Sequence, residues 1–181
     1  FILVHFRHLK MGHLEHKHHA PKKVSCMIIT ISDTRTEETD VSGKYIQKLL
    51  DKNGHHVVQY SIVKDEPEAI RQLLQEGIVS EDIQVILCHG GTGISHRDRS
   101  YEAVVQILEK HLDGFGELFR MLSYQEIGSA AMMSRAVAGI AGDTVIFSMP
   151  GSKGAVELAM EKLILPELGH LVWELRKHLE T

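Results

Sequence analysis

Between Cys88 and Asp98 the chain reads Cys-His-Gly-Gly-Thr-Gly-Ile-Ser-His-Arg-Asp. Three glycines this close together let the backbone approach a bulky ligand, and the N–H groups they expose can hold an anion without a charged side chain. Arg97 and Asp98 close the stretch with one fixed charge of each sign. That chemistry fits a phosphate-bearing ligand handled with a divalent metal. Asp33, Asp40, Asp65 and Asp98 offer hard oxygens to a magnesium ion, and Arg97, Arg99 and Lys153 offer cations to phosphates. The glycine stretch lacks the Gly-Lys-Ser/Thr ending of a triphosphatase phosphate loop and the spacing of a dinucleotide fingerprint. His89 and His96 flank it without the third ligand a zinc site needs. Ser134 and Ser152 have no histidine placed in sequence to activate them.

Local roles compete with these assignments. Asp65, followed by Pro67 and Glu68, has the spacing of a helix N-cap with its reciprocal carboxylate. Ser100 suits a cap equally well. Asp33 and Asp40 fall in a polar loop where aspartates form turns, and the glycines alone can serve a tight turn.

The elements that must position these residues alternate in type. Val24 to Ile31 is a β-branched-rich run that predicts a core strand. A polar loop from Ser32 to Asp40 precedes a helical period carried by Val41, Tyr45, Ile46, Leu49 and Leu50, which Asn53-Gly54 closes. His56 to Val63 predicts a second strand, Ile70, Leu73, Leu74 and Ile78 a second helix, and Gln84 to Leu87 a third strand that runs into the glycine stretch. Ser100 to Leu108 predicts the next helix. Leu112 to Gly116 is expected to be a turn, with Glu117 to Leu122 and Ala130 to Met133 helical. Arg135 to Ile140 and Thr144 to Met149 flank a short glycine link, so they predict an antiparallel hairpin. Pro150 to Gly154 repeats the strand-loop-helix arrangement. Two amphipathic helices broken near Pro166 finish the chain, with most of their apolar surface expected in the core and part at a subunit interface. The fold class is α/β: three layers, a mostly parallel sheet with one antiparallel strand, and helices on both faces. Ligands in such sheets gather beyond the carboxyl ends of the strands, so the loops 32–40, 64–67, 89–99 and 150–154 are expected to meet.

Composition narrows the functional classes. The 181 residues, 43% hydrophobic, suffice for one sizeable core. A net charge of −4 and 6% aromatic residues argue against a nucleic-acid partner. No apolar run reaches membrane-spanning length. Cys26 and Cys88, the two cysteines, lie in strand-like runs and read as buried thiols of a cytoplasmic protein. Residues 1–22 are expected to form a disordered or partly non-native tail with no signal peptide. Met11-Gly12 resembles a start, and six histidines (His5, His8, His13, His16, His18 and His19) carry no framed metal site. Residues 23–181 make the single domain.

Several motifs occur in order: Ser32-Asp33-Thr34-Arg35, Asp65-Glu66-Pro67, Gly90-Gly91-Thr92-Gly93 with Arg97-Asp98, Gly114-Phe115-Gly116-Glu117, Ser134-Arg135-Ala136 with Gly139, and Met149-Pro150-Gly151-Ser152. Together they resemble the MoaB/MogA family of molybdenum cofactor biosynthesis proteins, related to the amino-terminal domain of gephyrin, with the B branch nearer. The resemblance runs from about Lys23 to about His178. It implies a molybdopterin-binding domain that assembles as a trimer or a dimer of trimers. It also implies adenylylation of molybdopterin with Mg-ATP, releasing pyrophosphate. By that resemblance Asp65 and Asp98 are catalytic, with Asp65 the magnesium ligand. Gly90, Gly91, Thr92, Gly93, Ser134, Met149, Pro150, Gly151 and Ser152 would hold ATP, and Ser32, Asp33, Thr34 and Glu117 would lie toward molybdopterin. The chain departs from the family at Arg99-Ser100, where Val-Thr is usual, and at His89, where a small polar residue is usual. A non-catalytic protein that binds molybdopterin or nucleotide, or scaffolds other enzymes of the pathway, is the alternative.

Overall fold

Strand β1 (Ser25–Ile31) alternates its side chains between two hydrophobic layers: Cys26 and Ile28 face one, and Met27, Ile29 and Ile31 face the other. Both faces of this sheet are therefore covered, as continuous apolar strands require. A computed structural model of the chain describes residues 20–178. The expected tail falls outside the described residues apart from Ala20, Pro21 and Lys22, of which Pro21 lies against Gly169.

Helix α1 (Val41–Lys52) leads to β2 (His56–Val63), which pairs parallel with β1. Helix α2 (Pro67–Val79) returns on the opposite face to β3 (Val85–His89), parallel to β1 on its other side. Helix α3 (Ser100–Val105), strand β4 (Lys110–His111) and helix α4 (Asp113–Ile127) follow. A 3₁₀ helix (Gly128–Met133) then reaches β5 (Val137–Ala141) and β6 (Thr144–Met149). The order is β2-β1-β3-β6-β5-β4, and β5 alone runs against the other five. Helix α1, α4 and the terminal helices cover one face; α2 and α3 cover the other. The three-layer fold and the β5–β6 hairpin agree with the sequence expectation. No helix among the described residues is long and apolar enough to cross a membrane.

Three local expectations are corrected. Leu112 to Gly116 is not a turn, because α4 begins at Asp113. Gly116 sits there because a Cβ would come within 2.7 Å of the Ala136 carbonyl oxygen. Helix α3 stops at Val105, where Ile107 and Leu108 donate in tight turns to Val104 and Val105 and steer the chain into β4. The chain does not break near Pro166. Helix α5 (Lys153–Leu158), a π-helical stretch (Ala159–Ile164) and α6 (Leu165–Arg176) run on continuously. The wider π turns take up the missing proline N–H. Most of the apolar surface of the terminal helices belongs to the core, as expected. Leu168 and Val172 are buried, and Leu163, Leu171 and Leu175 pack against the same core.

Candidate functional site

The chain leaves β1 toward β2 on one side and returns to β3 on the other, so the β1–β3 boundary is the switch point where loops diverge. A cavity of about 360 Å³ opens at the carboxyl ends of these strands. Its wall includes Ser32 and Arg35 from the first loop, the glycine turn from His89 to Gly93, Asp98, Ser134, and Pro150-Gly151.

The glycine turn needs its glycines. Gly90 (φ 98°) and Gly91 (φ 62°) adopt left-handed backbone, and side chains there would strike the Ile31 carbonyl and the Asp65 carboxylate. The Pro150-Gly151 turn packs so closely that a Cβ on Gly151 would lie 3.0 Å from Gly90 Cα. Gly90 N–H donates to the Met149 carbonyl at 3.1 Å, binding the two turns together.

Arg135 fixes the rest of the turn from outside. Its Nε donates to the Thr92 carbonyl at 2.9 Å, and its Nη2 donates to the carbonyls of Gly93 and of Asp98. Nη1 pairs with Glu102, and the guanidinium lies 5.0 Å above the Tyr101 ring. Sequence reasoning gave Arg135 no role, since a grip on backbone oxygens leaves no spacing signature.

Asp65 and Asp98 approach each other at this turn, Asp65 beneath it and Asp98 on the cavity wall. Asp65 is 5% exposed; its Oδ1 accepts from Arg99 N–H at 3.2 Å, and its Oδ2 faces Gly91. It lies under the turn, not on the cavity wall. Burial raises the Asp65 pKa, and the charges of Asp98 and Asp33 push it further up against the one backbone donor. Asp98 Oδ2 accepts from Ser95 N–H and Oγ at 3.1 and 2.6 Å, and a Cβ on Gly93 would lie 2.5 Å from that oxygen. The cap readings of Asp65 and Ser100 do not hold. Glu66 and Arg99 occupy the N-cap positions without side-chain bonds, and Ser100 Oγ instead donates to the Gly90 carbonyl at 2.7 Å.

Asp33 is taken up by Arg97, which donates from Nε and Nη2 at 2.8 and 2.9 Å and reaches Glu66 with Nη1. The Arg97 hydrogen bonds hold the Asp33 carboxyl below its usual range. Asp33 Oδ1 also accepts from Asp65 N–H, tying the first loop to the second. Ser32 Oγ accepts from the N–H groups of Thr34 and Arg35, and Thr34 is exposed beside the cavity. Ser152 caps α5 through Ala155 N–H and lines a smaller adjoining recess of about 180 Å³, which Ser134 joins to the main cavity. Met149 and Glu117, like Asp33, Thr34 and Asp65, are not on the cavity walls. The Met149 side chain is buried in the core, and Glu117 is on the exposed face of α4, lining neither space.

A buried network forms the cavity floor. Asp40 caps α1 through Gly43 N–H (2.9 Å), and its Oδ2 accepts from Thr30 Oγ1 and Tyr60 OH at 2.5 Å each. Thr30 and His89 are register partners on β1 and β3, and Thr30 Oγ1 lies 2.8 Å from His89 Nε2. Burial works against the Asp40 charge, yet these donors together hold its pKa below the usual value. With three donors on its carboxylate, Asp40 serves the fold and leaves the set of metal candidates. Burial pushes His89 down to about 4. Gly43 makes the network possible, since a Cβ there would lie 2.6 Å from Tyr60 OH. Among the described residues no group of three or more His, Cys, Asp or Glu could hold a metal ion.

This fold, with a glycine turn over paired carboxylates, matches one class. Residues 27–170 match the family of probable molybdopterin binding domains. The chain belongs to that family, among the MoaB/MogA proteins of molybdenum cofactor biosynthesis. It is 58% identical over 168 residues to molybdenum cofactor biosynthesis protein B of Bacillus cereus, covering 92% of this chain and 99% of that protein. Identity to the Bacillus subtilis protein of the same name is 55% over 164 residues, covering 90% and 96%. A crystal structure of molybdenum cofactor biosynthesis protein B superposes with a TM-score of 0.85 at 59% identity, covering 87% and 99%. The tungsten cofactor synthesizing protein MoaB from Pyrococcus furiosus gives 0.77 at 39%, covering 87% and 99%.

Proposed function

We propose that the chain adenylylates molybdopterin with Mg-ATP, releasing pyrophosphate. The observation that carries this reading is the convergence of Asp65 and Asp98 at an anchored glycine turn. In the reaction a phosphate oxygen of molybdopterin attacks the α-phosphorus of ATP. The new P–O bond forms as the bond to pyrophosphate breaks. Two anions must approach, so alignment and charge neutralisation supply the acceleration. The N–H groups of Gly91 to Gly93 would hold phosphates in a preset frame. Ser134 and the Pro150-Gly151 turn, with Ser152 in the adjoining recess, would border the nucleotide. The Ser32–Thr34 loop would lie toward the pterin, held by the pair between Asp33 and Arg97.

A magnesium ion fits the charge balance at Asp65, where like charges already work against ionisation. Two carboxylates are few for an all-protein cage but usual where substrate phosphates complete the shell. When bound, the ion would neutralise triphosphate charge; Asp65 and Asp98 would hold and orient it.

A second reading, binding of molybdopterin or nucleotide without turnover, is favoured by the position of Asp65 under Gly91 instead of on the cavity wall. Pyrophosphate release from ATP and molybdopterin, with wild type and Asp98→Asn, separates the two. Release lost in the variant supports the enzyme; saturable binding without release supports the binder.

The active form would be a homo-oligomer, a trimer or dimer of trimers. Leu118, Met121, Tyr124, Ile127 and Met132 leave an exposed apolar face on α4 and the 3₁₀ helix, which a second copy would cover. Sedimentation at the mass of one chain would overturn this. Cys26 and Cys88, both free and buried, fit a cytoplasmic setting.

A further inference from the structure

His89 stands at the floor of the cavity, 2% exposed, in a position that phosphate binding does not use. Its chemistry follows from one hydrogen. Thr30 carries a single hydroxyl proton and has two neighbours, Asp40 Oδ2 at 2.5 Å and His89 Nε2 at 2.8 Å. Asp40 also receives Tyr60 OH and Gly43 N–H, three donors on one carboxylate, so it is ionised and takes the Thr30 proton. Thr30 oxygen is then an acceptor toward His89, and Nε2 must carry the hydrogen. The ring is neutral, which leaves the lone pair on Nδ1.

Nδ1 has no protein donor among the described residues, and a Cβ on Gly151 would come no nearer to it than 3.8 Å. Ser148 Oγ is the one fully enclosed side-chain polar atom among the described residues without a partner. Nδ1 therefore opens onto the cavity that His89 lines. A bare lone pair in a buried wall repels a phosphate oxygen and accepts from an N–H group. A phosphate is therefore disfavoured at this atom.

We propose that His89 is a specificity-determining residue whose Nδ1 accepts a hydrogen bond from an N–H group of the ligand's uncharged nitrogen heterocycle. The heterocycle then lies over the β1–β3 floor and the phosphates lie at the glycine turn, which fixes the direction of the ligand in the cavity. Thr30 and Asp40 are positioning residues that set the tautomer. The inference rests on the cavity holding a phosphate-bearing ligand, but not on turnover. The adenine amino group and the amino and ring N–H groups of a pterin share this chemistry.

The test is ¹⁵N NMR of the histidine side chains in the full chain, titrated separately with ATP and with pterin. The free protein should show His89 protonated at Nε2, and an Nδ1–H tautomer would overturn the inference. Saturation by the correct probe should shift the Nδ1 resonance, and the probe that does so identifies the source of the N–H. Purine riboside triphosphate, lacking the exocyclic amino group, should bind about tenfold more weakly than ATP if adenine is that source. Saturable binding of either probe with Nδ1 unmoved overturns the inference and leaves the binding reading intact. Failure of both probes to bind overturns both. Thr30→Val should release the tautomer and weaken the responding probe about tenfold. Should that variant fail to fold, the wild-type resonances still decide.

Discussion

Asp40 and Asp65 are both nearly inaccessible carboxylates at the same end of the sheet, 1% and 5% exposed, and their surroundings are opposite. Asp40 is saturated by donors from β1, β2 and α1, and its pKa falls. Asp65 has one backbone donor, two like-charged neighbours and only the Arg97 charge in its favour, so burial prevails and its pKa rises. Burial alone does not tell a structural carboxylate from a reactive one. The count of donors against charges does.

The sharpest way to break this contrast is by activity. Asp65→Asn and Asp98→Asn should each lower pyrophosphate release by about a hundredfold or more, with fold retained by circular dichroism. Near-normal release by either would remove that residue from the chemistry. Stability should separate the pair in the other direction. Asp40→Asn should destabilise by about 2–4 kcal/mol in urea unfolding, because an amide cannot accept from Thr30, Tyr60 and Gly43 at once. Asp65→Asn should stay within about 1 kcal/mol of wild type, since it relieves repulsion as it loses one bond.

Acid should sharpen the comparison further. His89 is lowered from 6.5 to about 4, so the unfolded chain binds the extra proton first as pH falls. The stability this neutral histidine confers is present above pH 6.5 and is lost between 6.5 and about 4, on the order of 3 kcal/mol, with the lowered Asp40 adding loss in stronger acid. Asp65 has the opposite sign. Its raised carboxyl takes a proton in the folded state first, so acidification favours folding through that group. Unfolding midpoints of Asp65→Asn and wild type should therefore converge as pH falls. The smallest effect belongs to the thiols. Burial pushes Cys26 and Cys88 up to about 12, and native protein should resist alkylation that proceeds freely in urea.

What the sequence made legible follows from the range of each interaction. Strands β1 to β3, helices α1 and α2 and the β5–β6 hairpin carry their own periodicity or turn residues, so they read correctly from local pattern. The two-residue β4, the start of α4 and the passage through Pro166 are set by packing against other elements, and local pattern misread them. The site divides in the same way. The glycine turn is visible because its residue type is obligatory at Gly90 and Gly91. Asp40 looked like any loop aspartate, because Thr30 and Tyr60 reach it from separate strands.

The grip of Arg135 has a structural consequence. It seizes main-chain oxygens of Thr92, Gly93 and Asp98, so it is blind to the side chains those positions bear. An exchange of the acid at position 98 removes its bonds to Ser95 but leaves the Arg135 grip in place. The outline of the turn thus depends on two separate holds, of which only one changes with the residue at position 98.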